Sequence, residues 1–417
     1  MHAWHKKGAV LVVALALTST VAACGSDSEN AETTTTTTKL TGSPVTIGVI
    51  YTDDEAAGAE ASYVEDSLRA SVAALEASGG LNGHPIKIKV CKTGANDTNA
   101  GAQCANEMVN EPSLVAMVGS STSNGDAVNP ILQKAGIANI AATPLSSSDY
   151  TTKVNFPVTG GAVTGPGVAT LLTDKFGAKK VALAYPDLAA TATLPILFAQ
   201  ALGPRNLELG TQVKLPLEKQ DLSAEAAQLA KGADGIAVTA FADQFARLVK
   251  SGRTSGVWPA DLKVATFTST LNNEVIETLG EDAEGIYAPA LLALTTVDSP
   301  GMKKYLGTLK KYGKNGVFDR AEDDVVKSPW LGLQILAAAT KGLTTIDRTS
   351  VLAAMNKLQF DSEGLAPPYD FSKENTTILG GAVPRLFNTS VMYGVVKDGK
   401  VQPLDGTFIN PFEKPSK

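Results

Sequence analysis

The sequence predicts an α/β protein of two doubly wound parallel sheets. Three observations carry that expectation. From residue 45 onward, short β-branched runs alternate with runs whose apolar residues recur at helical spacing. The strand-like runs are continuously apolar, as strands covered on both faces are. The series occurs twice along the 417 residues, 44% of them hydrophobic, a length that suits two domains of roughly 150–200 residues better than one.

The first series opens with a strand over 45–51 (Val-Thr-Ile-Gly-Val-Ile-Tyr). Val64, Leu68, Val72 and Leu75 then lie on one face of a helix that Gly79-Gly80 ends. A strand at 85–90, a helix at 100–110, a strand at 114–119, a helix through 131–135 and a strand at 138–142 follow. Alternation of this kind builds a parallel sheet. The second series reads helix 164–176, strand 181–185, helix 192–201, strand 213–217, helix 224–230, strand 236–240, helix 244–251, and strands 264–268 and 285–290. No sequence repeat links the two series. The remainder carries helices at 300–312, 328–341 and 349–358 and strand-like runs near 369–371 and 391–396.

Residues 1–23 read as an export leader. His5, Lys6 and Lys7 precede an apolar run over 9–17, too short for the roughly 20 residues of a membrane-spanning helix. The following Val21-Ala22-Ala23-Cys24 resembles a bacterial lipobox, which implies that Cys24 is lipidated and anchors the chain to the outer face of the cell membrane. Residues 24–43, with six consecutive threonines, have almost nothing to bury and read as a disordered tether, with folding starting near Pro44.

The composition excludes several classes of function. The 36 basic and 42 acidic residues give a net charge of −6 with no basic stripe, so no nucleic-acid partner is expected. Of three histidines only His84 lies beyond the leader, which leaves little for a His-based triad or zinc site. No Walker-type loop, Gly-x-Ser-x-Gly elbow or His-Glu-x-x-His occurs, Gly165-Pro166-Gly167 reads as a turn, and Asp323-Asp324 read as solvated loop charges. No enzyme activity, cofactor or metal is expected. With Cys24 lipidated, Cys91 at a strand end and Cys104 one turn into the next helix are placed to form a disulfide in an oxidising compartment; two buried thiols are the alternative.

The chain is similar to type I solute-binding proteins of ATP-binding-cassette importers, in the leucine/isoleucine/valine-binding branch. The residues that carry the resemblance are 73–89, with its Gly-Gly-Leu-Asn-Gly element, 115–123, 135–143, 284–288 and 397–399, in the family's order. The resemblance implies two βα lobes joined by three crossovers, lobe one from 45–156 with 288–382 and lobe two from 157–287 with 383–417. It further implies one small ligand in the cleft, closure by hinge motion, and presentation to a membrane permease.

In open α/β sheets ligands bind beyond the carboxyl ends of the strands. The loops 119–125 and 142–148 are rich in hydroxyls and can hold a carboxylate without Arg or Lys. The family's use of these loops implies ligand roles for Ser121, Thr122, Ser123 and Thr143, with Ser146 beside them; solvated, capped loops are the alternative. The sequence departs from amino-acid binders of the family in lacking an acidic residue after strand 264–268, where Ser269-Thr270-Leu271-Asn272 stands. An ammonium group would need Asp187, Asp243, Asp53, Asp54 or Glu55 instead, each equally readable as a solvated charge. Thr270, Phe241 and Trp330 complete the candidate wall, Trp330 being equally readable as core. The expected function is capture of a small carboxylate, amide or amino-acid-like ligand for an importer. A ligand-sensing lipoprotein of the same fold, a secreted enzyme and a structural envelope protein are the rivals.

Overall fold

The computed structural model describes residues 40–53, 62–95, 97–188 and 191–414. The leader, Cys24, the tether as far as residue 39, Asp54 and Glu55 lie outside them.

The first sheet is parallel and has the order β2-β1-β3-β4-β5, built from β1 (Val45–Thr52), β2 (Ile86–Thr93), β3 (Leu114–Val118), β4 (Asn139–Ile140) and β5 (Asn155–Phe156). Successive side chains of β1 point to opposite faces. Ile47, Val49 and Tyr51 join the core under α1 (Ser62–Ala77), while Ile50 joins Cys104, Met108, Val128 and Leu132 of α2 (Thr98–Val109) and α3 (Gly125–Lys134). Every residue of β1 is buried, which is why the run is continuously apolar rather than alternating. The short α4 (Ser147–Thr151) precedes β5. β4 is shorter than the expected 138–142 because Ala141 adopts a left-handed backbone, φ 55°, and ends the ladder.

The second sheet is led into by α5 (Gly167–Phe176), which starts directly after the expected turn at Gly165-Pro166. Its units are β6 (Val181–Pro186), α6 (Leu194–Leu202), β7 (Leu209–Leu215), α7 (Ser223–Ala230), β8 (Gly235–Val238), α8 (Ala242–Thr254), β9 (Lys263–Ala265), α9 (Asn273–Leu279) and β10 (Tyr287–Ala290). The chain then returns to the first lobe through α10 (Pro300–Tyr312), α11 (Asp324–Thr340), α12 (Arg348–Met355), and the two-stranded ribbon of β11 (Gln359–Phe360) and β12 (Tyr369–Asp370). It ends as a hairpin of β13 (Val391–Lys397) and β14 (Lys400–Ile409) on the second sheet, order β14-β13-β10-β9-β8-β6-β7. β10 pairs with β9 at Tyr287 and with β13 through Ala290, so this strand of the second sheet runs as far as residue 290.

Three crossings therefore join the sheets, and the first and last of them are interlocked. Tyr369 Oη and Asn388 Nδ2 both donate to the Val158 carbonyl, at 2.8 and 3.2 Å. The Arg385 guanidinium lies 4.6 Å from the centroids of both Phe156 and Phe387, and its Nε donates to the Asn155 carbonyl at 2.9 Å.

Two other features set the frame. Cys91 of β2 and Cys104 of α2 form a disulfide with Cα atoms 5.6 Å apart. Residues 40–43 are part of the ordered body, since the Thr41 and Gly42 amides donate to the Gly83 carbonyl and His84 Nδ1 lies 2.7 Å from the Ser43 carbonyl. Order thus begins before Pro44, and the Gly-Gly-Leu-Asn-Gly-His turn is its clamp.

Reducing the disulfide, which spans a sequence separation of 13, is expected to lower stability by about 3 kcal/mol; urea unfolding with and without a thiol-free reductant reads this directly. Arg385→Ala removes one carbonyl hydrogen bond and two ring contacts and is expected to cost about 3 kcal/mol in the same assay.

Candidate functional site

The carboxyl ends of β4, β9 and β10 face one another across a cavity of about 460 Å³, within the range of roughly 300–1,000 Å³ of small-molecule clefts. The first lobe supplies Thr143, Pro144 and Leu145 after β4 and Tyr150 of α4. The second supplies Phe267, Thr268, Ser269 and Asn272 after β9, and Leu291 after β10. Thr159, Gly161 and Ala162 close one end at the first crossing, and residues of 320–328 close another.

Local geometry explains why these residues are presented. Gly161 has φ 51°, and a Cβ there would meet Tyr150 Oη at 2.7 Å and the Pro144 carbonyl at 2.8 Å. A larger residue would push the crossing away from the wall. Tyr150 donates to the Gly160 carbonyl at 3.1 Å, and burial raises its pKa. Its hydroxyl is a brace for the wall, not an acid. Gly119, φ 70°, lets the loop after β3 lie against α11, since a Cβ would meet Pro329 Cα at 2.7 Å. Thr143 hangs on that loop by its amide, which donates to the Ser120 carbonyl at 2.8 Å.

Of the residues expected at the ligand, Thr143 lines the cavity. The others lie elsewhere, for identifiable reasons. Ser121 continues the β1 pairing through its amide to the Ile50 carbonyl. The Thr122 hydroxyl is enclosed with those of Thr52 and Thr93, each at 3.2 Å, and the Ser123 amide donates to Thr52 Oγ1. Through the Thr122 hydroxyl this loop ties the ends of β1 and β2 to the segment that follows β3. Ser146 caps α4 and donates to Asp149 Oδ2 at 2.8 Å. Thr270 is buried and donates to the Ala240 carbonyl at 3.1 Å. Phe241, exposed at 54%, begins α8 outside the cavity, and Trp330 is core, edge-on to Tyr305. Among the acidic candidates, Asp187 pairs with Lys214, Asp243 with Arg247 and Asp53 with Lys92, and none lines the cavity.

The charged wall comes instead from Arg320, Glu322, Asp323 and Asp324, of which Asp323 and Asp324 were read from the sequence as solvated. Asp323 and Asp324 open the N-terminus of α11, where the helix dipole favours a carboxylate. The segment is pinned to the lobe. Tyr305 Oη donates to the Ala321 carbonyl at 2.9 Å, and Ser67 Oγ to the Val326 carbonyl at 2.6 Å. Lys327, fully buried, donates to the Glu322 carbonyl and to its Oε1, both at 2.7 Å. Glu322 Oε2 in turn accepts from the Thr295 amide and hydroxyl. Asp323 Oδ2 accepts from Arg320 Nε at 2.6 Å. Asp324 Oδ1 is shut off from solvent and has no hydrogen-bond partner; the Lys327 ammonium is 3.9 Å away. Burial pushes the Asp324 carboxyl up to about 6; Lys327 opposes the rise, and Glu322 and Asp323 add to it. The sequence signal for this wall was an ionic run directly before a long apolar helix, a place where charges sit at a helix start rather than in free solvent.

A second cavity of about 360 Å³ shares Thr268, Asn272, Arg320, Glu322 and Asp323 with the first. Among the described residues no group of three or more His, Cys, Asp or Glu is arranged to hold a metal ion, and no helix is long and apolar enough to cross a membrane.

A family of proteins described as periplasmic binding proteins matches residues 44–383. The chain belongs to that family. Its two parallel-sheet lobes are the family's type I arrangement, and membership implies ligand binding in an extracytoplasmic location. Solved structures share the fold. A substrate-binding protein of an ABC transporter from Sphaerobacter thermophilus superposes with a TM-score of 0.70 at 16% identity, over 89% of this chain and 99% of that one. A solute-binding protein from R. palustris in complex with 4-hydroxybenzoate gives 0.68 at 19%, over 88% and 97%. A leucine-binding protein from Thermotoga maritima gives 0.65 at 19%, over 88% and 99%. No curated protein matches the chain.

The position of Asp324 makes a prediction about pH. Its native pKa lies above that of an unfolded aspartate, so the native state binds the extra proton between about pH 4 and 6, and this group's contribution to stability falls as pH rises through that window. Asp324→Asn is therefore expected to gain on the wild type by roughly 2–3 kcal/mol between pH 4 and pH 7. Urea unfolding of both proteins across that range measures it, and parallel pH profiles would contradict the assignment.

Proposed function

We propose that this protein captures a small carboxylate or amino-acid-like ligand in the inter-lobe cavity and delivers it to the permease of an ATP-binding-cassette importer. The observation that carries the reading is the cavity itself, walled by strand ends of both sheets in a chain of the periplasmic binding protein family. Phe267, Leu145, Leu291 and Val325 offer apolar wall, while Thr143, Thr159, Thr268, Ser269 and Ser328 offer hydroxyls at the same space. That mixture suits a ligand with an apolar body and one polar head. The R. palustris protein holds 4-hydroxybenzoate, and the T. maritima protein is a leucine-binding protein; both ligands have that build.

The mechanism is binding coupled to closure. A ligand that touches both walls binds the closed arrangement better than the open one and shifts the population toward it. The three crossings act as the hinge, and the closed form is what the permease meets. Lipidation at Cys24 would keep the protein at the membrane where that permease lies, and the chain needs no cofactor for this work.

Thermal-shift screening of the ligand-stripped protein against carboxylates, amides and amino acids tests the reading, because a ligand of the native state raises the melting temperature. The hit is expected to reduce the radius of gyration in solution scattering. Thr143→Val is expected to weaken it roughly tenfold by calorimetry, the loss of one hydrogen bond to a charged group. Absence of a saturable shift with every class would remove the reading.

A further inference from the structure

The geometry points to Arg320 as the anchor of a carboxylate on the ligand, a specificity-determining contact reached from the segment that opens α11. The inference rests on the cavity being the ligand site. It differs from the neutral, hydroxyl-based recognition expected of the loop after β3, whose Thr122 hydroxyl is engaged with Thr52 and Thr93.

Four observations converge on this residue. Arg320 is the cation that borders both cavities, and it stands on the first lobe opposite Thr268, Ser269 and Asn272 of the second. Its plane is held before any ligand arrives, with Cζ 4.7 Å from the Tyr63 ring centroid and Nε bonded to Asp323 at 2.6 Å. Among the described residues, Asp323 and Tyr63 are the polar partners of the guanidinium, and neither Nη1 nor Nη2 bonds to a carboxylate or carbonyl. The other nearby cation, Lys327, is unavailable, since it is fully buried and committed to Glu322.

A guanidinium fixed at Nε and stacked on a ring retains an edge of parallel N–H donors, the geometry that matches a carboxylate. Of the remaining carboxylates on this wall, Asp324 lies 3.9 Å from the Lys327 ammonium, not against Arg320. Glu322 is tied to Lys327 and Thr295, and Asp323 to Nε. The Asn272 side-chain oxygen caps α9 by accepting from the Val275 amide, which leaves its amide group as a donor on the opposite wall. A carboxylate seated at Arg320 is then within the compass of donors from both lobes. The contact that selects the ligand is also one that rewards closure.

The test is calorimetry on the full-length protein with matched acids and amides: 4-hydroxybenzoate against 4-hydroxybenzamide, and leucine against leucinamide, with sugars and simple amines as unrelated classes. The wild type is expected to prefer an acid to its amide. Arg320→Gln is expected to weaken the acid by roughly 10- to 100-fold, as loss of a charge-assisted hydrogen bond does, while the amide changes little, so the preference collapses. Arg320→Lys should restore part of it, because charge returns without the planar fork. Tyr63→Leu keeps the charge, loosens its placement and should weaken the acid less than Arg320→Gln. Equal losses for acid and amide in Arg320→Gln, or undiminished acid binding, would overturn the anchor and leave the cavity as the ligand site. Binding of sugars or amines alone would do the same. No binding of any class by the wild type would overturn both the anchor and the cavity's role. Unliganded melting curves of the variants show whether a loss reflects folding.

Discussion

The guanidinium of Arg385, sandwiched between Phe156 and Phe387, is the contact on which the arrangement of the two lobes depends. Phe156 ends the last strand of the first sheet and Phe387 lies on the final crossing. Phe371 packs edge-on against both rings, 5.7 and 5.0 Å between centroids, and Tyr369 beside it donates to the first crossing at Val158. Burial draws the Arg385 pKa down to about 10, so the group stays charged at neutrality while almost wholly enclosed. Such a group is tolerable only where carbonyls and ring faces take the place of water. That requirement locks the first and last crossings to one another and gives the lobes a common pivot.

From this pivot the position of the cavity follows. Both sheets present the carboxyl ends of their strands to the same space, and the segments beyond β4, β9 and β10 are the ones the pivot brings together. The loop after β3 turns the Thr122 hydroxyl back into its own sheet, where it meets those of Thr52 and Thr93, and Asn124 Nδ2 donates to Thr93 Oγ1 beside them. Buried polar groups need partners, and those available were internal. The loop after β4 escapes that fate at Thr143, whose backbone makes the structural bond to Ser120 and leaves the side chain to the cavity.

Charge enters the site by the same logic. Lys327 is carried inside by α11, a helix whose other residues bury a nearly continuous surface. An enclosed ammonium must be paired, and Glu322 and Asp324 gather around it. Arg320 and Asp323 form the outer pair of the same short segment. The charged wall thus accompanies the burial of one lysine: its partners Glu322 and Asp324 and the outer pair of Arg320 and Asp323 all border the space.

Much of the fold was legible in the residues themselves. Apolar runs at β1, β6 and β8 and the four-residue spacing of Val64, Leu68 and Val72 report burial, and burial reports layer position, so a doubly wound α/β architecture follows from local pattern alone. The pairing of Cys91 with Cys104 was legible for the same reason, since a strand end and the next helix are neighbours in any βα unit. β5, with two residues, carries too little pattern to be seen, and β14 was hidden by Pro403, which an edge strand tolerates and a central one does not. The cavity wall was illegible for a deeper reason. Whether a hydroxyl or carboxylate faces a ligand or a neighbouring strand depends on partners far away in the chain, as Thr122 on Thr52 and Lys327 on Glu322 and Asp324 show. Which segments become strands and helices is set locally, because that choice is made by neighbours a few residues apart. Which polar groups remain unspent at the cavity is set by packing, because satisfying them is a competition settled between distant segments once they are brought together.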